Sequence, residues 1–268
     1  MDVKAEKKRA FAVAAHPDDI EFVMAGTLVL LGGAGYELHY MNIANGSCGS
    51  EHLSARHTAE LREKEALAAA DSIGAEFHPP LVSDLEIFYE HKTLTRLASI
   101  MREVSPEIVL THAPLDYMED HMNACRLAVT AAFSRGMPNY PVNPARPPVS
   151  SQVTVYHAQP HGNRDPLGRL VRPTRFVDVG GVIEQKTKML ACHKSQKEWL
   201  DSSQGLDSYL DTMKDLMREV GGLSGRFEMA EGWRRHLHLC FCGPDDDPLV
   251  AALGKQVLVV DEEQKARR

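Results

Sequence analysis

Three side chains able to hold a metal or move a proton stand within four residues near the start of the chain: His16, Asp18 and Asp19, in Ala15-His16-Pro17-Asp18-Asp19. An imidazole and a carboxylate three residues apart around a turn can converge on one ion, leaving the carboxylate between them free as a base. The packing alternative has His16 closing a strand while Asp18 or Asp19 caps the helix that follows. A second run of the same character is Thr111-His112-Ala113-Pro114-Leu115-Asp116-Tyr117-Met118-Glu119-Asp120-His121. Zinc enzymes commonly supply three protein ligands and keep one position for water. His121 is the natural third ligand and His112 a weaker one. Asp120 is placed either to cap a helix or to orient a ligand histidine.

For these runs to meet, both must open on the same edge of a sheet. The first follows a continuous apolar stretch (residues 11–15) and the second a buried-type strand (Glu-Ile-Val-Leu-Thr, 107–111), as in a parallel sheet covered on both faces, and each precedes a helical pattern (20–31 and 122–133). Further strands are predicted at 37–43, 77–81, 153–157, 176–179 and 236–242, and further helices at 54–73, 94–104, 183–199 and 206–220. Residues 134–150, with five prolines, read as an irregular loop, and the tail after Gly254 as a charged, fraying end. Strands alternating with helices predict an α/β fold: a Rossmann-like, mostly parallel sheet flanked by helices, with C-terminal additions, as one domain over residues 1–268.

Composition sets the outer limits. A net charge of −7 with no basic stripe argues against nucleic acid or an anionic membrane as partner. No apolar run approaches the roughly 18 residues needed to span a bilayer, and the charged start of the chain lacks the apolar centre of a signal peptide. Five scattered cysteines do not form a disulfide framework, so a cytoplasmic setting is expected. In residues 236–242 a strand would place His236, His238, Cys240 and Cys242 on one face. Four successive same-face side chains span too far for one tetrahedral ion, so a half-buried strand is expected there.

Residues 15–19 match in full the Ala-His-Pro-Asp-Asp motif of the PIG-L/LmbE-like zinc-dependent N-deacetylases, and Asp116, Tyr117, Asp120 and His121 match that family's Asp-Tyr-His-Pro-Asp-His. The chain therefore resembles a family that includes N-acetylglucosaminyl-phosphatidylinositol de-N-acetylase. Looser matches are Arg62 with Glu65, Lys188 with His193, Ser195 and Gln196, and Ala230-Glu231 followed by Trp233. Carried over by position, the resemblance implies zinc ligation by His16, Asp19 and His121, with Asp18 as general base. It also implies substrate contacts from Arg62 and Asp84 and a small-molecule amino-sugar substrate, in either a monomer or a homo-oligomer.

One position departs from the family pattern. A histidine that stabilises the tetrahedral oxyanion usually stands three residues before the last ligand, where this chain has Met118. A thioether donates no hydrogen bond. His112, His157 and His161 are the candidates to meet the substrate in its place. Losing such a donor altogether costs on the order of 10²–10³ in rate. The expected reaction is removal of an acetyl group from an N-acetylated amino sugar or its conjugate. The alternatives are a metal-dependent amidohydrolase acting on a non-sugar amide and a catalytically silent homologue that binds metal and glycoconjugate. A dinucleotide-binding oxidoreductase is excluded, because two aspartates and no Gly-x-Gly-x-x-Gly occupy the first turn.

Overall fold

The computed structural model describes residues 7–197 and 208–260. Five strands run parallel: β1 (Arg9–Ala14), β2 (Glu37–Asn42), β3 (Glu76–His78), β4 (Ile108–Thr111) and β5 (Thr154–Ala158). Three more, β6 (Arg175–Asp178), β7 (Ala230–Arg235) and β8 (Val257–Val259), join antiparallel. Together they form one eight-stranded sheet in the order β3-β2-β1-β4-β5-β7-β6-β8. This is the expected mostly parallel α/β sheet with C-terminal additions.

Side-chain alternation sends β1 into two cores. Ala10, Ala12 and Ala14 face one cluster with Leu38, Tyr40 and Ile108, covered by α1 (Asp19–Val23), α2 (Ala25–Gly33), α3 (Ala55–Asp71), α6 (Ile183–Leu190) and α7 (Ser208–Ser224). Phe11 and Val13 face the other with Met41 and Val109, covered by α4 (His91–Val104) and α5 (Glu119–Ser134). The chain leaves β1 toward the first face and β4 toward the second. The crevice between their carboxyl ends is where open α/β sheets bind ligands.

Two expectations are corrected. The predicted helix 20–31 is two helices broken at Met24. The first free N–H groups of α2, on Gly26 and Thr27, donate to the Glu231 carboxylate at 2.8 and 2.7 Å, and an anion at a helix N-terminus is stabilising. Glu231 in turn pairs with Lys186, both fully buried, and Lys186 also donates to the Phe22 carbonyl at 3.0 Å. The second correction is the strand at 236–242. The place beside β5 is taken by Ala230–Arg235, and the chain then turns, with the Phe241 and Cys242 amides donating to the His238 carbonyl. The Trp199 end of the predicted helix 183–199 and the start of 206–220 lie outside the described residues, and α6 itself stops at Leu190. The tail after Gly254, expected to fray, carries β8 paired with β6, and the short α8 (Pro248–Leu253) precedes it.

Candidate metal centre

Ala15 ends the buried β1 segment, and the turn after it is held from three sides. The Ala15 amide donates to His112 Nε2 at 2.9 Å, Asn42 Nδ2 donates to the His16 carbonyl at 2.6 Å, and Arg62 donates to the Pro17 carbonyl at 2.5 Å. The His16 amide closes the turn on Asp19 Oδ2 at 2.7 Å. From the neighbouring strand end, α5 starts at Glu119, so Asp120 and His121 fall in its first turn. Ligand atoms of His16, Asp19 and His121 all lie within 4.8 Å of one another. Asp19 is the hub, with Oδ2 3.4 Å from His16 Nδ1 and Oδ1 3.3 Å from His121 Nε2.

Each of these imidazoles has a carboxylate behind it. His16 Nε2 meets Asp120 Oδ2 at 2.9 Å, and His121 Nδ1 meets Asp116 Oδ1 at 3.0 Å. Such partners fix the ring and its tautomer, leaving the other nitrogen free to ligate. Burial alone would lower both histidine pKa values, but it is outweighed. Asp120 and Asp19 raise His16 to about 9, and Asp19 and Asp116 raise His121 to about 10. The cluster is built to hold positive charge. Two imidazoles and a carboxylate, with both rings oriented from behind, fit zinc or a similar divalent ion.

Asp18 is set apart from this group. It occupies the N-cap position of α1 but makes no side-chain cap, and its φ of 105° lies in the left-handed region. A non-glycine residue held there costs about 1–3 kcal/mol and persists only where its surroundings impose it. The strain turns the carboxylate toward Tyr209, whose hydroxyl donates to Oδ2 at 2.7 Å, while Arg62 lies 3.8 Å from Oδ1. Burial raises the Asp18 pKa to about 6, against the pull of Arg62.

A cavity of about 450 Å³ opens over the centre. Its wall includes Asp18, Asp19, His16 and His121, together with Arg62 and Asp84. Asp84 accepts the Gly46 and Cys48 amides at 2.6 and 2.9 Å and so shapes the loop after β2. Gly46 is required there, because its φ is +76° and a Cβ would meet Arg62 Cδ at 2.6 Å.

His112 and His157 are not part of this wall. His112 Nε2 receives the Ala15 amide and its ring stacks on His121 at 4.2 Å, so it supports the centre from below. His157 bonds the His112 carbonyl at 3.0 Å and His236 at 2.9 Å, one layer deeper. Of the three candidates for the missing oxyanion donor, the structure brings only His161 to the cavity, where its ring lies against Phe22 and Tyr117. Among the looser motif positions, Lys188 is exposed and the neighbouring Lys186 is the buried one. Glu65 accepts the Ser195 amide and hydroxyl at 2.9 and 2.6 Å, next to Gln196 in the cavity wall. Tyr209 escaped the sequence reading; it lies 191 positions from Asp18 and no motif marks it.

Residues 11–133 match the PIG-L family model, described as GlcNAc-PI de-N-acetylase. Over 204 residues the chain is 28% identical to 4-oxalmesaconate hydratase of Pseudomonas putida, a match covering 73% of this chain and 77% of that protein. It is 27% identical over 195 residues to diacetylchitobiose deacetylase of Thermococcus kodakarensis, covering 70% of each. The structure of N,N'-diacetylchitobiose deacetylase from Pyrococcus horikoshii shares the fold, with a TM-score of 0.73 over 91% of this chain and 89% of that one at 23% identity.

Proposed function

Because residues 11–133 form a PIG-L family domain, we propose that the chain is a zinc-dependent hydrolase that removes acetyl from the nitrogen of an amino sugar or its conjugate. The observation that carries this reading is the division of labour in one turn. Asp19 joins two carboxylate-backed imidazoles, while Asp18 faces the same cavity and remains outside the ligand group. A pure binding protein has no use for that second, strained carboxylate.

His16, Asp19 and His121 would hold the ion, which when bound supplies a Lewis acid for the amide carbonyl and for water. Asp18 accepts the proton of the attacking water while Tyr209 holds its Oδ2 in place. The new carbon–oxygen bond forms, the carbon–nitrogen bond breaks, and Asp18 returns the proton to the departing nitrogen, giving acetate and a free amine. A base whose pKa is raised to about 6 is ionised at neutral pH and still able to give the proton back. His161 takes the place left by Met118 as donor to the developing oxyanion, since it lines the cavity, whereas His112 Nε2 accepts the Ala15 amide and both His157 nitrogens are bonded beneath.

The hydratase relative supports a second reading, addition of water to an unsaturated carboxylate. The cavity favours the first. Among its described lining residues Arg62 is the one ammonium or guanidinium side chain, and Nη1 and Nη2 donate to the Gly46 and Pro17 carbonyls. Facing it are Asp18, Asp19 and Asp84. A neutral, hydroxyl-rich sugar suits this wall better than a polyanion. The test is acetate release across a panel of N-acetylglucosamine conjugates and simple N-acetyl amines, run beside hydration of unsaturated dicarboxylates, with zinc restored. Turnover of the sugar amides alone is expected. Hydration without acetate release would overturn the reading.

A further inference from the structure

A second group of ligand-type side chains lies in the body of the sheet, back along the strands from the catalytic edge. Register pairs His39 of β2 with Glu76 of β3, and Met41 with His78. Alternate residues share a face, so His39, Glu76 and His78 all project from the same side. His39 Nδ1 lies 3.0 Å from His78 Nε2 and 3.5 Å from Glu76 Oε2. One ligand atom from each residue lies within 4.8 Å of the other two.

These separations suit an ion. In a tetrahedral zinc site with bonds of about 2.0–2.1 Å, neighbouring ligand atoms lie about 3.3–3.4 Å apart. The two measured distances fall on either side of that value, so small side-chain adjustments would complete the geometry. Two imidazoles meeting nitrogen to nitrogen at 3.0 Å also require a lone pair on at least one of them, the form that ligates. The rings are held in register, stacked at 5.3 Å and packed on Phe11, with centroids 6.2 and 5.2 Å from it.

The surroundings offer access and favourable charge. Both histidines are 7% exposed, whereas Glu76 is at the surface. A cavity of about 660 Å³ reaches His39 and Glu76 and is also lined by Glu37 and Glu103. Arg9 opposes them but is bonded to Glu37 at 3.1 Å. We propose that His39, Glu76 and His78 form a second divalent transition-metal site, for zinc or a metal of like preference, clasping β3 to β2. The clasp has a structural purpose. β3 has three residues, lies at the sheet edge and, among the described residues, pairs with β2 alone, and a cross-strand ion adds what so short a ladder lacks.

The site does not depend on the deacetylase reading, and its test is kept separate by counting metal. Zinc bound after equilibrium dialysis is measured in the parent, in His16→Ala/His121→Ala, and in each with Glu76→Gln or His78→Gln, with circular dichroism confirming the fold. The expected counts are about two zinc ions in the parent and about one in the His16→Ala/His121→Ala protein. Adding His78→Gln removes one in either background, and Glu76→Gln weakens that ion at least about tenfold. Zinc should also raise the melting temperature of the His16→Ala/His121→Ala protein and lose that effect with His78→Gln. A parent whose zinc content is unchanged by both Glu76→Gln and His78→Gln would overturn the proposal, as would a folded His16→Ala/His121→Ala protein that binds none.

Discussion

The strands before residue 135 and those after it share one sheet but contribute differently to the site. The earlier, parallel part supplies every proposed ligand and the base: His16, Asp18 and Asp19 after β1, and His121 after β4. The later part, mostly antiparallel, supplies groups that hold those residues or complete the cavity. Tyr209 from α7 steadies Asp18, His161 follows β5, and Glu231 of β7 with Lys186 anchors the start of α2. Ligands and base thus lie in the earlier part, with Asp116 and Asp120 behind the imidazoles, while the later part adds Tyr209 and His161 from far along the chain. Short local spacing can bring ligands to one turn, but burying a charged base takes elements from elsewhere.

Substitutions in the two parts should therefore fail differently. The largest effect is expected for His121→Ala, which removes a ligand and should abolish acetate release while lowering bound zinc, read by elemental analysis, by about one ion per chain. Asp18→Asn keeps size and tolerates a left-handed backbone. It should lower kcat by about 10²–10⁴ while zinc content stays at the parent level; loss of zinc would merge base and ligand roles. In the supporting part, Lys186→Met leaves Glu231 charged and buried without its partner. Urea unfolding should show a loss of about 3–5 kcal/mol. His161→Ala should cut kcat by about 10²–10³ with little change in KM or in bound zinc. An unchanged kcat would move the oxyanion role to the metal or to Tyr117. The smallest effect is expected at Asp120, which touches His16 from outside the ligand group. Asp120→Asn should weaken zinc affinity by about 10–100-fold in a competition titration.

How much of this was legible beforehand depended on how local the signal was. β1 after Arg9 and β4 before Thr111 are apolar throughout, and such runs read as buried parallel strands whatever surrounds them. Their following polar turns marked the site for the same reason. β7 was missed because Glu231, Gly232, Arg234 and Arg235 do not look like a strand buried beside β5. Its charge is tolerated only because Lys186 and two helix amides neutralise it. The alternating His and Cys residues after it imitate a strand, but the ladder position was already filled. The break at Met24 escaped for a related reason, since the carboxylate that caps α2 is more than 200 positions away.

By itself the sequence determined the α/β alternation, the two turns that carry ligand-type side chains, and a methionine where the resembled motif carries a histidine. Those properties reside in residue type and spacing over a few positions. Tertiary structure alone decided which carboxylate backs which imidazole and that Asp18 is strained and held by Tyr209. It also decided that His161, not His112 or His157, reaches the cavity, and that His39, Glu76 and His78 meet. Each depends on register and packing between segments far apart in the chain, and no local pattern encodes where a distant side chain will come to rest.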